Sequence, residues 1–293
     1  MPYADSSGVK LHYEEAGRGT PIVFVHEFSG DLRSWEAQMR YFSRRYRCVA
    51  YNARGYPPSE VPAAVSKYSH RQATDDIANL MRRLGIGKAH VIGCSMGAYS
   101  TLQFGLRYPR RALSLTAIGA GAGSDPATRK QFLKASAATA RRFEEEGLAG
   151  AMRPYRTAAN RIQLGNKDPR AFREFFRRFL EHSALGHANT VRGVQMRRPP
   201  LRAMAGPLSR LSIPTHVVVG DEDESSLDTG IFLKRVCPAA RLTIVAATGH
   251  LVSNEEPDLF NRITDEFLTL VDSGRWRPRD PRSLNKSTMA KRD

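Results

Sequence analysis

Short apolar runs spaced along the chain constrain its fold more than any other feature. Residues 22–25, 48–51, 89–93, 113–118, 215–219 and 241–245 each read as a strand, and most are apolar at consecutive positions. A strand that is apolar on both faces is one covered on both sides, as in a parallel sheet flanked by helices. The intervening stretches switch to helical spacing. Ser69 and Gln72 form a capping signature, followed by Ile77, Leu80, Met81 and Leu84 on one face and Gly85 as a stop. Trp35, Met39 and Phe42 repeat that spacing behind Asp31 or Ser34 as N-cap, and residues 257–271 form a closing helix. Strands alternating with helices predict an α/β fold with a mostly parallel central sheet and right-handed crossovers. Residues 8–16 alternate and read as an edge strand.

Residues 125–205 break this alternation. They are helical in pattern, rich in arginine and without a clear strand. Phe172, Phe175, Phe176 and Phe179 form a stripe at helical spacing, which reads as a core-facing surface. The expected organisation is a core of residues 1–124 and 206–272, a helical cap inserted at 125–205, and a basic, disordered tail at 273–293. The formal net charge of +16 belongs mainly to the insertion and the tail, because 206–272 is net acidic. With no nucleic-acid motif, the charge reads as a solvated arginine-rich face, and a small-molecule substrate is expected rather than nucleic acid. No run of about 18 apolar residues is present, so no membrane span is expected. The first residues lack the pattern of a signal peptide. Cys48, Cys94 and Cys237 are odd in number and far apart, which reads as reduced thiols in a cytoplasmic protein. A homodimer is compatible with the sequence.

Reactive side chains gather where strands end. His26, Glu27, Asn52, Arg54, Ser95, Asp125, Asp221, Asp223 and His250 all fall there, the side of an α/β sheet on which ligands bind. Among them Gly93-Cys94-Ser95-Met96-Gly97 reads as a strand turning directly into a helix. A serine in such a turn crowds the backbone two positions either side, and glycine relieves that crowding. The helix behind it aims its first amides at the hydroxyl. A nucleophile, an acid and a histidine then follow in the order Ser95, Asp223, His250.

These motifs resemble those of the α/β-hydrolase superfamily, specifically a capped serine hydrolase, over about residues 8–272. Gly93–Gly97 is similar to the nucleophile turn, 219–223 to the acid loop, Gly249-His250 to the histidine loop and 51–55 to the stretch that carries aspartate-x-arginine-glycine. The resemblance implies Ser95 as nucleophile, His250 as base and Asp223 as the acid, with Asp221, Asp228 and Asp125 as rivals. It implies an oxyanion hole from the backbone amides of Phe28 and Met96, and neither cofactor nor metal. Hydrolysis of a small carboxylic ester through an acyl-enzyme is the expected reaction. Carbon–carbon cleavage of ring-fission products, lactone opening and perhydrolysis share the same triad, and a non-hydrolytic binding protein is the rival from another class. Two departures stand out. Glu27 occupies a position where relatives carry glycine, and Asn52 one where they carry aspartate. Glu27 and Arg54 are read as pocket residues, Glu27 either pairing with Arg54 or facing the substrate.

Overall fold

Eight strands form one sheet in the order β1-β2-β4-β3-β5-β6-β7-β8. This is a computed structural model, and it describes residues 2–284. The strands are β1 (Tyr3–Asp5), β2 (Lys10–Ala16), β3 (Pro21–Val25), β4 (Arg47–Tyr51), β5 (Ala89–Cys94), β6 (Ala112–Ile118), β7 (Thr215–Gly220) and β8 (Ala240–Val245). From β4 to β8 every pairing is parallel, and only β1–β2 and β2–β4 are antiparallel. The expected mostly parallel sheet is therefore present. β2 is not the edge, because β1, which carries no alternating pattern long enough to read, pairs on its outer side.

The apolar runs are buried as the pattern requires. Ile22, Val23, Phe24, Val49, Val91 and Ile92 are fully inaccessible. Each such side chain contributes about 1.5–3 kcal/mol relative to exposure. Helices α1 (Glu36–Phe42), α2 (His70–Arg83) and α3 (Met96–Arg107) cover the sheet. Ser69 caps α2, its Oγ accepting from the Gln72 amide at 3.0 Å. Asp31 rather than Ser34 caps the turn Leu32–Trp35 ahead of α1.

Between β6 and β7 the helices are the regular elements: α4 (Arg129–Arg156), α5 (Ile162–Lys167), α6 (Pro169–Phe179), α7 (Ala184–Thr190) with its π-helical extension Val191–Gln195, and α8 (Ala205–Ser209), joined by loops and short 3-10 turns. α4 kinks at Gly147, where φ is 66°. Phe176 and Phe179 are buried with Phe143, Met152 and Val191 in a second apolar cluster that also takes in Phe28 and Tyr56 from loops at the sheet's carboxyl edge and Met96 at the start of α3. This insertion thus packs on the strand ends where the reactive residues gather. Two arginines staple its entry to its exit: Arg129 donates to the carbonyls of Gly123, Met196 and Arg198, and Arg198 donates to Ala122 O.

The chain closes with α9 (Glu224–Val236), α10 (Val252–Glu255) and α11 (Pro257–Asp272). Residues 273–284, expected as the start of a disordered tail, instead turn back on the core. The Trp276 amide bonds to Leu270 O, and the Trp276 side chain is buried because its indole has apolar surface to cover. The rest of that expectation, 285–293, lies outside the described residues.

Candidate active site

Ser95 sits at the junction of β5 and α3 with φ 52° and ψ −110°, a backbone conformation rare for any residue but glycine. Such a conformation costs about 1–3 kcal/mol and persists only where its surroundings enforce it. Here the Ser95 amide bonds to Ile118 O at 2.7 Å. Packing does the rest. A Cβ on Gly97 would lie 2.1 Å from Val25 O, and one on Gly93 would lie 2.3 Å from Gly97 O. Both glycines of the motif are therefore required by contact with backbone, not by their own torsions.

His250 and Asp223 meet across the tops of β8 and β7. His250 Nδ1 lies 2.5 Å from Asp223 Oδ2. Asp223 is inaccessible and also accepts from Ser225 Oγ at 2.8 Å. Burial pushes its carboxyl up, but the His250 charge and hydrogen bonds from His250, Ser226 and Ser225 outweigh burial and hold it below the usual carboxylate value. Of the rival acids, Asp221 accepts from the Thr248 amide, Asp125 from the Ala127 amide, and Asp228 is exposed. Asp223 is the acid that touches His250.

The histidine loop is clamped from both sides. Glu255 accepts from the Gly249 amide at 2.7 Å and from the Leu251 amide at 3.0 Å. Burial raises the Glu255 pKa against those two bonds. The His250 amide itself donates to Asn160 O at 2.9 Å, in the turn Ala159–Arg161 of the insertion. Glu255 is the first carboxylate after Gly249-His250, and that proximity in sequence is the only signal of its role. No pattern marks Asn160.

Ser95, His250, Phe28 and Met96 line one cavity of about 230 Å³. Glu27 and Ser29 from the loop after β3 and Phe132, Tyr155, Arg161 and Arg198 from the insertion complete most of its wall. Among the described residues, neither the Phe28 nor the Met96 amide donates to a protein acceptor. The Met96 amide heads α3, where the first N–H groups have no partner within the helix.

His26 is buried and bridges two loops. Its Nδ1 donates to Glu27 O at 2.7 Å and its Nε2 accepts from the Ala53 amide at 3.0 Å. Burial pushes its pKa down to about 4, so it is a neutral structural histidine.

The expected Glu27–Arg54 pair does not form, and Arg54 does not line the cavity. Arg54 grips Asp76 with two bonds, Nε to Oδ2 at 2.8 Å and Nη2 to Oδ1 at 2.7 Å, both residues being buried. Its Nη1 also donates to Lys67 O. The loop after β4 carries the guanidinium toward α2, away from β3. The cation near Glu27 is Arg161, with Nη2 at 3.7 Å from Oε2. Glu27 Oε2 also accepts from the Ser29 amide at 2.5 Å. Its backbone carries no strain, since Ser7, Ser95 and Ala247 are the only non-glycine residues with positive φ among the described residues. The position needs no glycine.

A strained serine, an imidazole braced by a buried carboxylate and two residues whose amides have no protein acceptor among the described residues line one cavity, an arrangement able to support nucleophilic attack on a carbonyl carbon. The family model of the alpha/beta hydrolase fold matches residues 20–257. A putative 2-succinyl-6-hydroxy-2,4-cyclohexadiene-1-carboxylate synthase of Bacillus subtilis (strain 168) is 24% identical over 274 residues, 91% of this chain and 97% of that protein. The enol-lactonase structure from Burkholderia xenovorans LB400 superposes with a TM-score of 0.78 at 26% identity, covering 92% of this chain and all of its own. A malate-bound thermophilic esterase from Thermogutta terrifontis gives a TM-score of 0.81 at 25% identity, covering 92% of this chain and 98% of its own.

Proposed function

The chain belongs to the α/β-hydrolase family, and we propose that within it this protein is a serine hydrolase of small carboxylic esters, with Ser95, His250 and Asp223 as its catalytic residues. The observation that carries the reading is the 2.5 Å contact of His250 with Asp223 beside a serine held at φ 52° on the same cavity.

Ser95 Oγ attacks the carbonyl carbon as His250 Nε2 takes its proton. A serine hydroxyl is a poor nucleophile at neutral pH without such a base. Asp223 fixes the proton on Nδ1, which leaves Nε2 free to accept, and stabilises the imidazolium that forms. Negative charge collects on the carbonyl oxygen and is met by the Phe28 and Met96 amides, which have no protein acceptor of their own among the described residues. The tetrahedral adduct collapses, its C–O bond breaks, and His250 returns the proton to the departing alcohol. A water then repeats the sequence on the acyl-serine and releases the acid. The helical insertion acts as a cap, closing the cavity over Ser95. A cavity of about 230 Å³ falls below the roughly 300–1,000 Å³ of drug-sized sites, in keeping with a short substrate. The similarity to an enol-lactonase favours lactones as a second substrate type, since a lactone is an ester closed into a ring and needs the same steps.

The test is hydrolysis of p-nitrophenyl butyrate by wild type and Ser95→Ala. Turnover by wild type and a loss of at least about 10³-fold in kcat for the variant are expected. No hydrolysis by wild type, or an unchanged rate after Ser95→Ala, removes the reading.

A further inference from the structure

Two buried arginines line the cavity beside Ser95, and they are not alike. Arg161 has a carboxylate within reach, Glu27 at 3.7 Å. Arg198 has none among the described residues; its neighbours are the neutral ring of Tyr99 and a second cation, Arg129. Only 7% of Arg198 is exposed. One nitrogen, Nη2, donates to Ala122 O at 2.9 Å, and the guanidinium stacks 4.8 Å above the Tyr99 ring. Among the described residues, Nε and Nη1 donate to nothing.

Burying a cation without a counter-charge is unfavourable by several kcal/mol, and one hydrogen bond to a carbonyl with one ring face offsets only part of it. Burial pushes the Arg198 pKa down to about 10, with Arg129 adding to the fall, so the group remains a cation at neutral pH. A guanidinium with free N–H groups on a cavity wall matches the planar geometry of a carboxylate.

We propose that Arg198 recognises an anionic group of the substrate, selecting esters that carry a carboxylate besides the scissile one. This rests on the serine-hydrolase reading of the cavity. Its small volume requires the carboxylate and the scissile carbonyl to belong to one short molecule.

Matched esters test it. p-Nitrophenyl hemisuccinate and p-nitrophenyl butyrate share an acyl length and differ by a terminal carboxylate. 4-Acetoxybenzoate and phenyl acetate place the carboxylate on the leaving group instead. In wild type, kcat/KM for the charged member is expected to exceed its neutral partner at least tenfold in one pair. Arg198→Met should abolish that advantage, chiefly through KM, lowering kcat/KM for the charged ester at least tenfold more than for its neutral partner. Arg198→Lys should restore part of it. Absence of any advantage in both pairs overturns the proposal. So does an advantage that survives Arg198→Met. A parallel fall of charged and neutral rates reduces Arg198 to its staple at Ala122. If wild type hydrolyses none of the four, the serine-hydrolase reading fails, and calorimetry with succinate decides the anion site alone. Binding by wild type that is lost in Arg198→Met sustains it, and no binding by wild type ends it.

Discussion

Asn52→Asp places at the end of β4 the aspartate that the resemblance to the hydrolase motif implies there, and it should destabilise this protein. Asn52 is buried, with Oδ1 accepting from the Leu32 amide at 2.9 Å and Nδ2 donating to Pro57 O at 2.7 Å. An amide side chain meets both demands, whereas an ionised carboxylate meets only the first. Its second oxygen would face the Pro57 carbonyl, leaving that acceptor unpaired at about 1–3 kcal/mol and burying a charge besides. The alternative is for the new carboxyl to hold a proton and donate it to Pro57 O. From an unfolded value near 3.9, keeping that proton at pH 7 costs about 4 kcal/mol, at about 1.4 kcal/mol for each pH unit. The destabilisation is therefore bounded near 4 kcal/mol at pH 7 and falls by at most about 2.7 kcal/mol at pH 5. The sign follows from a folded pKa raised above the unfolded one. The stability it confers is complete below about pH 4 and is lost as pH rises toward the folded value. Urea denaturation of variant and wild type, compared at pH 5 and pH 7, measures the difference. A variant as stable as wild type at pH 7, or a deficit that does not change between the two pH values, would refute the hydrogen-bond accounting.

Two further substitutions separate structural from catalytic demands. Gly97→Ala puts a Cβ 2.1 Å from Val25 O, so β3 or α3 must shift by more than 1 Å to reach ordinary contact. Loss of ester hydrolysis by at least 100-fold is expected with Ser95 intact, and activity within threefold of wild type would contradict the close approach. Arg54→Met leaves the Asp76 carboxylate buried without its bidentate partner, a loss of about 3–5 kcal/mol visible as a lowered Tm. Relative rates across the esters above should not change, and a changed preference would return Arg54 to the pocket.

The sequence revealed what repeats locally. Apolar runs set β3, β4, β5 and β7 because burial on both faces demands apolar residues at consecutive positions. The turn at Ser95 was readable because contacts at 2.1 Å and 2.3 Å leave no side chain tolerable at residues 97 and 93. Chain order and the resemblance of 219–223 to the acid loop favour Asp223 with Asp221 as a rival, and the contact with His250 itself depends on how the loops after β7 and β8 lie. Contacts made by the insertion were illegible. Asn160, Arg161 and Arg198 sit in helical, arginine-rich sequence like that around them, and only tertiary packing brings them to the cavity.

Glu27 shows how such packing changes the meaning of a residue. A carboxylate next to the Phe28 amide should oppose an oxyanion forming there. Its Oε2 is instead committed to the Ser29 amide at 2.5 Å, with Arg161 Nη2 at 3.7 Å. Arg161 Nη2 in turn donates to Ser29 Oγ at 3.0 Å. The neighbouring residue, Asn160, receives the His250 amide. One turn of the insertion therefore holds both the loop that carries Phe28 and the loop that carries His250. In that setting the negative charge of Glu27 is matched by a cation from the insertion, and the side chain orders the loop whose amide the reaction would use. A glycine at position 27 could neither accept the Ser29 amide nor meet Arg161. The departure from the family pattern is thus coupled to the helical insertion, and the two have to be read together.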